Sequence, residues 1–403
     1  MRFSISNARA GTAATPLIGL ATITRLAMQG ADLAPLMSDL IARIERDGGD
    51  AAAWLDLSTI QQVMGHRANR MALQADALRR ARHFTHAPSG AAPLRLLALM
   101  APGDFMANTP LEFLLEGGAV ALDALYLAPD GSLPEALPDH DVAFVAAAEA
   151  DGNLPILERL AAAERFWPRP IVNPPARIAA VTRDGFAKLM QDAPGVVVPP
   201  ARRMNRAALG AGGGLEHPFI VRPVGSHAGE GLRKIESRQD LDAYLAETAD
   251  TDHYIAPFVD YRGADGLFRK YRIALIEGAP FAVHMAISPR WMVHYLNADM
   301  MDNAANRDEE ARFMANFDKD FACAHAEAFR AVHARTGLDY VLLDCAETRE
   351  GELLIFEAGT AMIVHALDPA ELFPYKPPQM QKIFAAFEAM IRRKGAPRVR
   401  AAS

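Results

Sequence analysis

The chain has two cysteines, three tryptophans and no apolar run long enough to form a membrane helix. Cys323 and Cys345 both sit beside apolar residues. With two cysteines so placed no disulfide framework is expected, and a reducing cytoplasm is the expected compartment. A bilayer span needs about 18 or more consecutive apolar residues, so no membrane role is expected. Basic excess is also missing: 42 Lys and Arg stand against 49 Asp and Glu, for a net charge of −7 and a pI near 6.0. A nucleic-acid binder concentrates positive charge, so nucleic acid is not an expected partner. Arg2 and Arg9 precede a weakly apolar stretch from Ala10 to Thr24, but Pro16 interrupts it and Arg25 follows closely. It is expected to be structure or a loose arm, not a leader. Hydrophobic residues are plentiful, at 51% of 403 positions, enough for two or three cores.

Residues 1–90 carry helical signals. Leu33, Leu36, Met37, Leu40, Ile41 and Ile44 mark one face of a helix over Asp32 to Arg46. The spacing of Trp54, Leu57, Gly65 and Ala77 partly matches a tetratricopeptide helix–turn–helix unit, although Gln61 replaces the usual Tyr. One unit is too few for a solenoid, which leaves two roles: a helical cap on the rest of the chain, or a module docking a protein or peptide. His86 to Pro93 reads as a linker.

Residues 91–180 alternate strands and helices: Leu94 to Met100, a helix from Thr109-Pro110 to Leu115, Ala119 to Leu127, Val142 to Ala146, and a helix from Leu154 to Arg165. This pattern predicts a small parallel α/β unit. Loops at the carboxyl ends of such strands bind ligands. Gly103, Asp104, Phe105, Asn108, Thr109, Glu149 and Asp151 are therefore substrate candidates, with ordinary capping as the competing role.

The most informative segment is Asp339 to Gly359, which reads as two apolar strands joined at Glu350-Gly351. A two-residue turn there pairs Asp344 with Glu357. Opposed side chains in an antiparallel ladder stand about 4.5–5.5 Å apart at Cβ, and like charges there repel. Two carboxylates so placed call for a cation. A divalent metal carrying nucleotide phosphates is one answer; a nearby Arg, or a solvated edge, is another. The second segment, His217 to Ile235, is a short apolar strand ending in Arg222, a loop with Gly225, Gly229 and Gly231, and a return strand. Glycines allow close backbone approach to a phosphate, and successive N–H groups form an anion-binding concavity. The segment is neither a P-loop nor a dinucleotide fingerprint.

These two segments, in this order, resemble the ATP-grasp superfamily over roughly residues 92–390, especially its glutathione-synthetase and ribosomal-protein-modifying glutamate ligase branch. Val172-Asn-Pro-Pro with the helix from Arg183-Asp184, Gly195 to Ala201, Tyr254 to Asp260, and Arg269-Lys270-Tyr-Arg272 fit the same series. The resemblance implies an ATP-grasp fold of the α/β (α+β) class: a pre-grasp unit over 91–180, an ATP-clasping domain over 181–395, and a helical extension before both. It implies ATP and Mg²⁺, with Asp344 and Glu357 as metal carboxylates. Arg222, Gly225, Ser226, His227, Gly229, Gly231, Ile255, Ala256, Pro257, Phe258, Asp260 and Lys270 would line the nucleotide site. Arg272, Arg290 and Asn297 fall at or near its catalytic positions. The implied reaction joins a carboxylate to an amine through an acyl-phosphate, on small-molecule or peptide substrates. Pairing into a homodimer is a further expectation of the resemblance.

Departures from the pattern are specific. The helix lysine falls on Gly185, leaving Lys188 as a substitute; Arg222 replaces a strand lysine; Gly359 stands where an Asn binds the metal. Lys270 stands where an acidic residue is frequent. Phosphoryl transfer without an amine, or a nucleotide-binding scaffold, are the alternatives these departures leave open. His365 is a candidate general base or a structural histidine. Asn303 to Met314, rich in charge, reads as a solvated helix start.

Overall fold

A computed structural model describes residues 3–6, 16–86, 94–212, 216–227 and 229–396. The fold is α/β, as expected. The expected linker residues 87–93, and residues 10–15 of the N-terminal stretch, lie outside the described residues.

Four helices come first, Leu20–Met28, Ala34–Arg46, Ala51–Val63 and Arg67–Arg80. Asp50 starts the third by accepting the Ala53 N–H, and Gly65, at φ +80°, makes the turn into the fourth. The third helix is buried along most of its faces because it lies between neighbours: Ala53, Leu57 and Ile60 meet Ile23 and Leu40, while Ala52 and Leu55 meet Leu78 and Phe84. The second of these clusters, with Leu17 and Tyr126, seats the helices on the parallel sheet. The helices thus cap the parallel unit.

That sheet runs His83–Thr85, Val120–Tyr126, Leu94–Met100, Val142–Val145, Ile171–Val172, parallel except for its first strand. Leu96 to Leu99 are all buried, as a strand covered on both faces requires. Its carboxyl-end loops carry Asp104 and Glu149 toward the rest of the molecule.

Two further sheets follow. The smaller is antiparallel, in the order Arg233–Ile235, Phe219–Pro223, Asp252–Pro257, Arg202–Asn205. Helix Arg238–Glu247 covers one face through Leu241 and Tyr244. Arg203 ties this sheet to the parallel unit by a fork onto Asp151, at 2.7 and 2.6 Å. The larger runs Ala279–Ser288, Phe268–Ile276, Tyr340–Glu347, Leu353–Gly359, Val196–Val197, with only the last pair parallel. Helices Ala326–Thr336 and Lys376–Gly395 pack in the same core, through Phe329 and Phe387.

Asp344 does pair with Glu357, but not through the expected turn. The loop has three residues, 349–351, with Thr348 N–H bonded to Glu352 O at 2.9 Å and Gly351 at φ +82°. That shifts the register by one, so Cys345 pairs with Ile355. A bulge at Phe356 restores the shift just before the acidic pair.

Candidate active site

Asp344 is 1% exposed at the centre of the large sheet. Lys270 and Arg272 project toward it from the neighbouring strand, two residues apart and so on the same face. Lys270 Nζ lies 2.6 Å from one carboxylate oxygen, and Arg272 Nε lies 2.7 Å from the other. Glu357 pairs instead with Arg183. Burial alone would raise both carboxyls; Arg272 and Lys270 at Asp344, and Arg183 at Glu357, reverse this and hold both below the ordinary range. The repulsion foreseen from sequence is thus met by protein cations.

Arg222 stands at the end of the Phe219–Pro223 strand and donates through Nε to Ser226 Oγ at 3.1 Å, and also to the Ser226 carbonyl. The guanidinium therefore braces the glycine-rich loop from inside. Burial, then the neighbouring Arg183, lowers its pKa to about 10. Four cations, Arg183, Arg222, Lys270 and Arg272, thus surround two carboxylates. In the loop, Gly225, Gly229 and Gly231 all have positive φ. At Gly231 a Cβ would also lie 2.6 Å from Pro223 Cδ, so the return strand can follow only with glycine. His227 is half-buried, and burial lowers its pKa.

A large cavity of about 980 Å³ opens between the small sheet and the segment after Ser288. Phe258, Asp260, Arg290 and Asn297 line it, with Lys234 and Trp291. Phe258 packs edge-on to Trp291 at 5.6 Å, and Lys234 lies 4.2 Å over the Phe258 ring. Asn297 shapes its own loop, accepting the His294 N–H and donating to Met292 O. Asp260 is engaged by Arg262 and Arg349. Ile255 departs from the expected lining: it is 1% exposed and packs with Phe219 and Leu241 in the small-sheet core, because alternate strand residues face opposite sides. Ala256 and Pro257 occupy the last positions of that strand.

Three departures have physical accounts. Lys188 does not replace the missing helix lysine, since its side chain is 77% exposed and pairs with Asp184. Arg183 faces the acidic pair instead. Gly185 is tight: a Cβ there would fall 2.5 Å from Ala180 O. At Gly359 a Cβ would fall 2.3 Å from Glu149 Oε1, so the Glu149 carboxylate fills the space of the absent side chain. Its other oxygen accepts the Thr360 N–H at 3.1 Å.

Elsewhere, Glu310 is completely buried and not solvated. It binds Tyr295 and Tyr375, with Lys376 at 3.6 Å, anchoring the segment that carries Arg290 and Asn297. Thr109 does not cap its helix, and its Oγ1 has no partner among the described residues. His365 accepts the Leu367 N–H, a structural bond.

Among the described residues no three His, Cys, Asp or Glu side chains are grouped to hold a metal. Mg²⁺ bound with a nucleotide demands less, one or two carboxylates beside phosphate and water oxygens. Asp344 and Glu357 meet that smaller demand.

No protein-family model and no curated protein matches the chain. Solved structures match in chain trace. The VanG D-Ala:D-Ser ligase from Enterococcus faecalis is 13% identical with a TM-score of 0.45, over 74% of this chain and 99% of that one. A D-alanine–D-alanine ligase from Bacillus anthracis, complexed with ATP, is 11% identical with a TM-score of 0.44, over 75% and 96%. A RimK domain ATP-grasp protein from Sphaerobacter thermophilus is 15% identical with a TM-score of 0.42, over 73% and 99%. At these identities the likeness concerns the chain trace, not substrates or residue roles.

Proposed function

We propose that the chain is an ATP-dependent carboxylate–amine ligase of the ATP-grasp kind, converting ATP to ADP and phosphate through an acyl-phosphate. The observation that carries the reading is the buried Asp344–Glu357 pair ringed by Arg183, Arg222, Lys270 and Arg272. Such a ring exceeds the charge of two carboxylates, and a triphosphate would use the excess. Phosphoryl transfer asks a protein chiefly for positioning and charge neutralisation, which fixed guanidinium groups supply. Arg222 would act while holding the glycine-rich loop, so loop closure and phosphate binding would be one event. Arg272 would exchange part of its Asp344 contact for phosphate oxygen. Mg²⁺, held by Asp344 and Glu357, would add neutralisation at the transferred group. The cavity beside Phe258 and Trp291 suits the nucleoside, and Arg290, also in its lining, would face the substrates.

The test is incubation with Mg·ATP and pooled amino acids or small peptides, with ADP and AMP followed separately. The reading expects ADP whose formation depends on an added amine, with Glu357→Gln abolishing it. ADP without an amine requirement would favour simple phosphoryl transfer, and no turnover would favour a nucleotide-binding scaffold.

A further inference from the structure

A second cavity, of about 80 Å³, lies where the helical cap meets the parallel sheet. One water-sized group needs about 10–15 Å³, and this space is several times larger. Its lining includes Asp56 from the cap, His86, Asp104, Thr109 and Tyr126 from the sheet and its loops, and Glu112 from the short helix Leu111–Leu114. Asp56 is 1% exposed and accepts the N–H groups of Ile18 and Gly19 at 2.9 and 3.0 Å. Glu112 accepts the Ala21 N–H with Oε2, and its Oε1 stands 3.8 Å from His86 Nε2. Among the described residues neither carboxylate is paired with Lys or Arg. Two acids are therefore held close together in a shielded space with only a helix start and a histidine to offset them. Burial, with Glu112 adding to it, pushes Asp56 up to about 6. A separate observation also points to a missing partner. Thr109 is completely buried, lines the cavity, and its Oγ1 has no hydrogen-bond partner among the described residues.

The cavity also has a direction. Asp104, in its lining, acts electrostatically on His227 of the glycine-rich loop. Beyond that loop lies the cationic ring of Arg183, Arg222, Lys270 and Arg272. Negative charge at one end and positive charge at the other suit a zwitterion.

We propose that this cavity binds the amino group of an amino-acid or peptide substrate, whose carboxylate extends toward the cationic ring. The amino-group half stands on the cavity alone; the carboxylate half rests on the ligase reading. The test is calorimetric titration of the full chain with glycine, L-alanine, glycylglycine and the N-acetyl form of each, with and without Mg·AMP-PNP. At least one free amine should bind about ten-fold or more tightly than its acetyl form, as loss of a charge-assisted hydrogen bond implies. Glu112→Gln, which keeps an oxygen for Ala21, should remove that preference while circular dichroism and AMP-PNP affinity stay unchanged. Tyr126→Phe should weaken the free amine without altering the acetyl form. No preference for free amines, or a preference untouched in both variants, overturns the proposal. AMP-PNP failing to bind while the preference persists would sink the ligase reading and leave the amine site standing.

Discussion

Glu149 and Gly359 share one space: the carboxylate from the parallel unit lies where a side chain on the last residue of the acidic strand would project. Gly359→Asn should therefore displace Glu149 and cost about 1–3 kcal/mol of stability, as overpacking does. Glu149→Ala in the same chain should recover most of that loss. Denaturant unfolding of both single variants and the double variant measures the coupling, expected at about 0.5–3 kcal/mol. Additive effects would mean that the two sites do not compete.

Arg183 and Lys188 sit on the same short helix but should differ sharply. Arg183→Ala should weaken AMP-PNP binding about ten-fold or more, by loss of a charged hydrogen-bond donor near the phosphates. Lys188→Ala, altering an exposed side chain, should leave affinity unchanged. Equal effects would remove Arg183 from the site.

Gly231 and Gly225 separate steric clash from backbone strain. Both have positive φ, but only Gly231 faces a close neighbour. Gly231→Ala should thus reduce nucleotide affinity more than Gly225→Ala, each costing roughly 1 kcal/mol from backbone conformation alone. The reverse order would contradict the loop geometry.

His253 is completely buried, and neither ring nitrogen has a hydrogen-bond partner among the described residues. Burial lowers its pKa below the ordinary 6.5, so the folded state favours the neutral ring. Its stability contribution is present above the unfolded pKa and is lost as pH falls from about 6.5 toward the folded value. His253→Phe should be about 1 kcal/mol more stable at pH 7.5, through loss of an unmade hydrogen bond, and further ahead at pH 5.5. Urea unfolding at the two pH values reads both parts. A gap that shrinks on acidification would refute this account of His253.

Much of the site was legible because strands impose a strict alternation. Lys270 and Arg272 on one face follow from period-two geometry alone, Arg222 before its glycines is plain chain order, and Asp344 opposite Glu357 needed the turn as well. The acidic pairing survived a wrong turn length only because the Phe356 bulge cancelled it, and no residue pattern announces such a cancellation. Arg183 and Lys188 lie five positions apart, about 140° around a helix, so knowing the helix did not say which faced inward. Glu149 joins Thr360 across 211 residues, and only tertiary packing brings them together. Glu310 looked solvated because its neighbours are charged, yet Lys376, Tyr295 and Tyr375 supply it with buried partners.

The most direct measurement is Mn²⁺ binding, followed by electron paramagnetic resonance in the presence of AMP-PNP, for the wild type and Glu357→Gln. One nucleotide-dependent Mn²⁺ is predicted, bound about ten-fold or more weakly once the charged ligand is neutralised. Equal Mn²⁺ affinity in two folded proteins would contradict the assignment of Asp344 and Glu357 as the metal–nucleotide site.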